Sequence, residues 1–318
     1  MIHQTSSSKP KLVAVIGATA TGKTAVGVEL ALQLDGEVVN VDSRLFYRGM
    51  DVATAKPRSD ETKGVPHHLI DILDPDEHFN LGKYLKAVRS VVVDITDRGK
   101  LPILVGGSGQ YIWAIIEGWE VPEIEPDREL RAELESRLNS DGVESLAQHL
   151  NDTAHAVAKV TDLKNPRRVI RAIERVLSDS NDNESNRSKA DEPPFDHFIV
   201  GLNVERSVLH TRVVGRLASM KESGWVLEVE RLLAQGYTDK TRALSGIGYR
   251  QMIDHLEGQY DLDEAVRLTA VATNRLIRQQ SNWFKQDDAR INWFDMTDDA
   301  PETTKSVVTA VNEWQRYR

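Results

Sequence analysis

A chain of 318 residues with 40% apolar and 28% charged residues can bury a large core, and its length suits one large and one smaller domain. The absence of cysteine excludes disulfides, thiolate catalysis and cysteine-ligated zinc together. A formal net charge of −9 argues mildly against nucleic acid as a partner, although a local basic stripe outweighs the sum.

The opening segment MIHQTSSSKPK lacks the apolar run of a signal peptide. No stretch approaches the ~20 apolar residues of a membrane-spanning helix, so a cytoplasmic protein without membrane contact is expected. Leu12 to Ile16 reads as a buried strand, and a helical pattern runs from Ala25 to Leu34. Between them lies Gly17-Ala18-Thr19-Ala20-Thr21-Gly22-Lys23-Thr24, a strand–GxxxxGK[ST]–helix arrangement with every fixed position filled. Its glycines let the backbone curl until several N–H groups face one anion, and the helix N-terminus adds partial positive charge. Lys23 offers an ammonium to the terminal phosphate oxygens, and the Thr24 hydroxyl is placed to ligand Mg²⁺. A chance match in a Gly/Thr-rich turn would lack the flanking strand and helix. The segment is expected to hold a di- or triphosphate, with Mg²⁺ as cofactor.

Glu37 to Ser43 reads as a second strand, ending in a carboxylate and a hydroxyl. Ligands of open α/β sheets bind at the carboxyl ends of the strands, which puts Asp42 on the rim that carries the P-loop. An Asp-Ser pair also serves commonly as a helix cap or turn. Arg44, Tyr47, Arg48 and the segment through Pro57 are too polar for core, and either line an entrance or form surface. His67 and His68, as strand neighbours, point to opposite sides, which disfavours a shared metal and favours hydrogen-bonding roles. Phe79 to Arg98 has helical apolar spacing and stops at Gly99; Leu101 to Val105 is another buried strand, followed by a glycine turn through Gly109. P-loop NTPases close such a strand with an acidic residue for Mg²⁺. Here Val105 precedes two glycines, and no NKxD-like tetrapeptide occurs, so a GTPase is excluded and a hydrolytic motor disfavoured.

From Trp119 to about Phe198 the composition shifts to short charged helices. Asn165-Pro166 opens one of them, with Pro at its first position. Arg168, Arg171 and Arg175 recur at i, i+3 and i+7 with Glu174 as the only acid, a pattern that suits a phosphate-facing stripe. Residues 178–194 are polar and proline-flanked, a linker or long loop. Phe198 to Leu202 restores a strand. The helix after it carries Arg212 and Arg216 one turn apart, able to reach one place. Leu244 to Gln251 is a glycine-rich turn with groups suited to stacking on or hydrogen bonding a base. Leu262 to Lys285 reads as helix, with Trp283-Phe284 packing its end.

The blocks GATATGKT, VDSRLFYRGMDVATAKP, VPHHLID, LVGGSGQY, NPRRVIRAIE and GIGYRQ resemble, in order, those of the tRNA dimethylallyltransferases, and span most of residues 12–285. The resemblance implies an α/β fold, a P-loop NTPase-like parallel sheet flanked by helices, with a helical insertion domain. Its segments would be 1–117 and 199–318 for the core, and 118–198 for an insertion that grips the tRNA anticodon stem-loop. It also implies that the P-loop holds dimethylallyl diphosphate, and that the acceptor is N6 of adenosine 37 in tRNA. By position, Asp42 is similar to the general base, and one of Arg212 or Arg216 to the arginine that clamps the pyrophosphate. Ser43, Arg44 and Leu45 share the tRNA-contacting block of Asp42. Pro166, Arg167, Arg168, Val169 and Ile170 resemble further tRNA contacts, as do Gly246, Ile247, Gly248, Tyr249, Arg250 and Gln251. Ser108 would sit at the mouth of the prenyl channel. Extrusion of the adenine from its stack is implied, with Tyr249 a candidate to stack on it. A monomer is expected. Departures are Ala18 and Thr21 for the usual Pro and Ser, Ser108 and Gln110 for Thr and Leu, and Asn274 and Gln279 for Arg.

Two rival classes are a nucleoside or small-metabolite kinase, which would consume ATP and ignore tRNA, and a non-catalytic RNA-binding module, which would leave the P-loop without purpose.

Overall fold

A computed structural model describes residues 9–121, 127–177 and 189–317, in two compact units: 1–119 joined with 190–318, and 120–189. The polar stretch expected as a linker lies, at 178–188, outside the described residues. None of the described helices is long and apolar enough to cross a membrane.

In the larger unit, β1 (Lys11–Gly17) leads into α1 (Lys23–Gln33), and β2 (Gly36–Asn40) follows. A polar excursion holds α2 (Ser59–Thr62) and the two-residue β3 (His67–His68). Then come α3 (Leu81–Asp97), β4 (Leu101–Val105) and α4 (Gly109–Ile116). The smaller unit comprises α5 (Arg128–Thr153), α6 (His155–Val160) and α7 (Pro166–Leu177). The chain returns with β5 (Asp196–Asn203), α8 (Arg206–Glu222), α9 (Trp225–Ala234), a 3₁₀ turn at Ala243–Ser245, and α10 (Tyr249–Leu256). It closes with α11 (Leu262–Trp283), β6 (Ile291–Asp295) and α12 (Ala300–Tyr317).

The six strands form one parallel sheet in the order β3-β2-β4-β1-β5-β6. Burial on both faces explains why Leu12 to Ile16 is apolar without alternation; all five are fully buried. The chain winds to one side of β1 through β2, β3 and β4, then to the other through β5 and β6. That reversal opens a crevice at the carboxyl ends of the strands. α3 buries Tyr84, Leu85, Val88, Val92 and Ile95 at helical spacing; the Asn80 side chain caps its N-terminus by accepting from the Lys83 N–H (2.9 Å), and Gly99 (φ 74°) ends it. The second strand stops at Asn40, short of the expected Ser43, so Asp42 lies in a loop. β6 and α12 fall in a stretch for which the apolar pattern predicted nothing.

The smaller unit packs Leu134, Leu146, Leu150, Val169, Ile170 and Ile173 into its own core. Glu174, 3% exposed, lies among them and accepts a bidentate bond from Arg131 (2.7 and 2.8 Å) and one from Arg171 (3.2 Å). A buried carboxylate is tolerated when cations share it so closely. The expected basic face is therefore partly neutralised: Arg171 is committed to Glu174, and Arg168 stands 3.6 Å from Asp162.

Candidate active site

β1 ends at Gly17, whose φ of 149° excludes most side chains and where a Cβ would meet the Leu202 carbonyl at 2.6 Å. The loop passes through positive φ at Ala20 (68°) and Gly22 (94°) and delivers the start of α1. The Thr21 hydroxyl turns inward and donates to the Ala18 carbonyl (2.9 Å), to which the Lys23 ammonium also donates (2.7 Å). Thr24 is exposed toward the cavity in front of the loop. Behind it stands Gln280 of α11, 6% exposed. Its Oε1 accepts from the Thr19 N–H (2.9 Å) and its Nε2 donates to the Gly107 carbonyl (3.2 Å), so one amide ties the P-loop to the turn after β4.

Asp42 is placed by Asn40, a fully buried side chain at the end of β2. The Asn40 Oδ1 accepts from the Asp42 N–H (2.8 Å), and its Nδ2 donates to the carbonyls of Asp42 (3.0 Å) and Leu69 (2.8 Å). Asp42 Oδ1 accepts from the Arg44 N–H (3.0 Å), so the turn role weighed for this residue is real and coexists with a place on the cavity wall.

The cavity measures about 470 Å³. Lys23, Thr24, Asp42 and Arg216 stand on its polar wall together with Glu61, Lys63 and His67, and Val28, Val38, Leu45, Ile70 and Val105 on an apolar one. Burial lowers the Lys23 pKa to about 8, against the pull of Asp42 and with a push from Arg216. Burial also lowers the pKa of Arg216, opposed by Asp42 and Glu61. Two cations held out of water in this way gain most from an entering anion. The Arg pair separates in space: Arg216 Nη2 donates to the Thr54 carbonyl (3.2 Å) beside the cavity, whereas Arg212 Nη2 donates to the Met296 carbonyl (2.6 Å) after β6. A second cavity of about 110 Å³ has walls at Arg44, Ala53, Ile247 and Tyr249. Both cavities are lined by the same four residues, Thr19, Asp42, Thr54 and Arg216.

Among the described residues no cluster of three His, Cys, Asp or Glu could cage a metal. One exposed hydroxyl at Thr24 on the cavity wall fits a Mg²⁺ ion that takes few protein ligands.

Of the remaining expected residues, Leu45 lines the larger cavity and Arg44 the smaller, with Arg44 Nη1 on the Ala243 carbonyl (3.2 Å). The Ser43 N–H reaches Ser108 Oγ at 3.5 Å, and Ser108 precedes α4 at its N-cap position, without a side-chain cap bond and outside both linings. The other residues expected to contact tRNA fall as follows. Tyr249 is 1% exposed, its hydroxyl donates to Glu228 (2.7 Å), and it forms part of the wall of the smaller cavity. Val169 and Ile170, at 0% and 6% exposure, belong to the core of the smaller unit; that helix offers exposed Pro166-side neighbours only at Arg167 and Arg168. Gly246 and Gly248 are buried, while Ile247 is half-buried, Arg250 is exposed and pairs with Asp254 (2.9 Å), and Gln251 caps the Gly248 N–H (2.8 Å).

Sequence reasoning missed Asn40, Gln280 and Glu228. Glu228 had a signal: it sits on the buried stripe of α9 with Trp225, Val229 and Leu232, where a carboxylate needs a reason. The small-residue face of α11 (Ala265, Thr269, Thr273) leads likewise to Gln280. His68 bonds Glu37 (2.6 Å) as a structural group, in line with the hydrogen-bonding role expected of it.

A family model described as IPP transferase matches residues 45–287. The tRNA dimethylallyltransferase of Roseiflexus sp. (strain RS-1) is 39% identical over 303 residues, 95% of this chain and 98% of that protein. The enzyme of the same name from Corynebacterium diphtheriae is 41% identical over 288 residues, 90% of this chain and 94% of the relative. The crystal structure of the full-length tRNA isopentenylpyrophosphate transferase from Bacillus halodurans superposes with a TM-score of 0.72 at 37% identity, covering 96% of both chains. Likeness that runs through both sheet halves and through the cavity loops alike, at this identity, makes the chain a member of the IPP transferase family.

Proposed function

We propose that this protein transfers the dimethylallyl group of dimethylallyl diphosphate to N6 of adenosine 37 in tRNA, releasing diphosphate. The observation that carries the proposal is the pair of cavities meeting at Asp42 and Arg216. The larger one offers P-loop amides and two cations for a diphosphate, with an apolar wall of the size and character a branched five-carbon chain needs. The smaller one is lined by the same carboxylate, to which an extruded adenine would present its amine.

The amine of adenine is a weak nucleophile, since its lone pair is delocalised into the ring. As the nitrogen lone pair forms the bond to C1 of the allyl group, the C1–O bond breaks and diphosphate leaves with that electron pair. The N6 proton passes to Asp42, positioned by Asn40. Lys23, Arg216 and the backbone amides hold the charge gathering on the leaving group. The Thr24 hydroxyl would hold a Mg²⁺ ion, whose charge would favour departure of the diphosphate. Arg216 is the better candidate for the guanidinium at the leaving group, because it lines both cavities whereas Arg212 lines neither and donates to carbonyls after β6. Arg167 and Arg168 of the helical unit would meet RNA phosphates.

The test is nucleoside mass spectrometry of tRNA incubated with the protein and dimethylallyl diphosphate, beside a parallel incubation with labelled ATP. Appearance of N6-(dimethylallyl)adenosine supports the reading. Unmodified tRNA together with ATP consumption would establish the kinase instead.

A further inference from the structure

Glu228 lies on α9, outside both cavity linings, and is 5% exposed. Its carboxylate accepts four hydrogen bonds. Oε2 takes the backbone N–H groups of Asp51 (2.7 Å) and Val52 (2.6 Å), and Oε1 takes the N–H of Ala53 (3.2 Å) and the hydroxyl of Tyr249 (2.7 Å). Among the described residues it has no cationic partner. Three consecutive amides converging on one carboxylate reproduce, in reverse, the way a P-loop holds a phosphate. What they hold is the loop that follows. Thr54 and Ala55 line the larger cavity, Ala53 and Thr54 the smaller, and the Thr54 carbonyl accepts from Arg216. Tyr249, on the fourth bond, forms another wall of the smaller cavity.

We infer that Glu228 is a positioning residue: by fixing residues 51–53 against Tyr249 it sets the Thr54 carbonyl that aims Arg216 at the diphosphate. Its charge is the relevant property, because all four partners are donors and only an acceptor-only group can satisfy them. An amide at this place turns a donor toward at least one backbone N–H, that of Ala53 if its oxygen stays on Asp51 and Val52, even when the Tyr249 hydroxyl turns to accept. The inference rests on the larger cavity taking a diphosphate, as proposed above.

The experiment measures pyrophosphate binding with Mg²⁺ by calorimetry for the wild type, Glu228→Gln, Arg216→Ala and the double variant, with hydrogen exchange at residues 51–54 as a second readout. Glu228→Gln is expected to weaken binding roughly tenfold or more, the worth of hydrogen bonds to a charged group, and to speed exchange in that loop. In the Arg216→Ala background the same change should cost less than about twofold, because its route of action is gone. Glu228→Asp keeps charge and fold while drawing the carboxylate back by one methylene, and should fall between wild type and Glu228→Gln. Equal losses in both backgrounds, or a lowered melting temperature with unchanged affinity for both Glu228 variants, would overturn the inference while leaving the proposed function standing. A wild-type chain that ignores pyrophosphate overturns the diphosphate reading, and this inference with it.

Discussion

Replacing Gln280 with methionine keeps the volume of the side chain and removes both of its polar ends. The Thr19 N–H loses an acceptor at 2.9 Å and the Gly107 carbonyl a donor at 3.2 Å. At 6% exposure water has little room to replace either. A buried polar group left unpaired costs about 1–3 kcal/mol, so the pair should cost about 2–6 kcal/mol. For a unit of this size each kcal/mol shifts the melting temperature by roughly 2–4 °C, which predicts a loss of roughly 4–24 °C. Because one partner is a P-loop amide, pyrophosphate affinity should fall too. Gly107→Ala provides an independent approach: its Cβ would stand 2.2 Å from Gln280 Nε2 and push the amide away. The double variant should then be little worse than either single one. Thermal melts with and without pyrophosphate test all three. Melting within about 1 °C of wild type and unaltered affinity in Gln280→Met would refute the reasoning, since bonds worth this much could not then be holding the loop.

Other consequences follow from the same geometry. Asp42→Ala should lower turnover by roughly 10²–10⁴ with tRNA binding little changed; unchanged turnover leaves Asp42 only its turn bond. Anion binding favours the protonated form of Lys23, whose free-state pKa is about 8, so diphosphate affinity should hold below that pH and decline as pH rises through it. Lys23→Arg should remove the decline, and a wild-type profile flat to pH 9.5 would count against it. Arg216→Lys should weaken pyrophosphate binding, while Arg212→Lys should lower thermal stability with affinity intact; the reverse pattern would exchange their roles. Glu37, held by Arg98 and His68, has its pKa lowered from 4.5 to about 2, chiefly by the Arg98 bond. Its contribution is present above pH 4.5 and lost as pH falls through 2, so Glu37→Gln should be less stable than wild type at pH 7 and should flatten the loss between those values in urea melts.

Much of the molecule was legible along the chain because the rules that decided it are local. The P-loop needs glycines and positive φ at stated offsets, and Gly17 and Gly22 stand where backbone geometry requires them. Amphipathic spacing marked α3, and Pro166 marked the start of α7. A strand ending beside Asp42 followed from the rule for open sheets, although the strand closed two residues earlier. β6 escaped because five residues at the sheet edge, only partly buried, carry too weak a pattern to stand out. For a similar reason the pairing on α7 was not legible: nothing near its arginines in sequence tells that Arg131 shares their one acid.

By itself, then, the sequence determined the anion cradle, the parallel α/β order and the membership that the motif blocks imply. Only tertiary structure decided which arginine faces the cavity, that Tyr249 is a wall, and that Glu228 and Gln280 hold the loops. Those contacts join residues 177 and 261 positions apart, as with Asp51 to Glu228 and Thr19 to Gln280. Local propensity and periodicity act within a few turns of chain. A hydrogen bond across such a separation exists only after the sheet and its helices have brought the partners together.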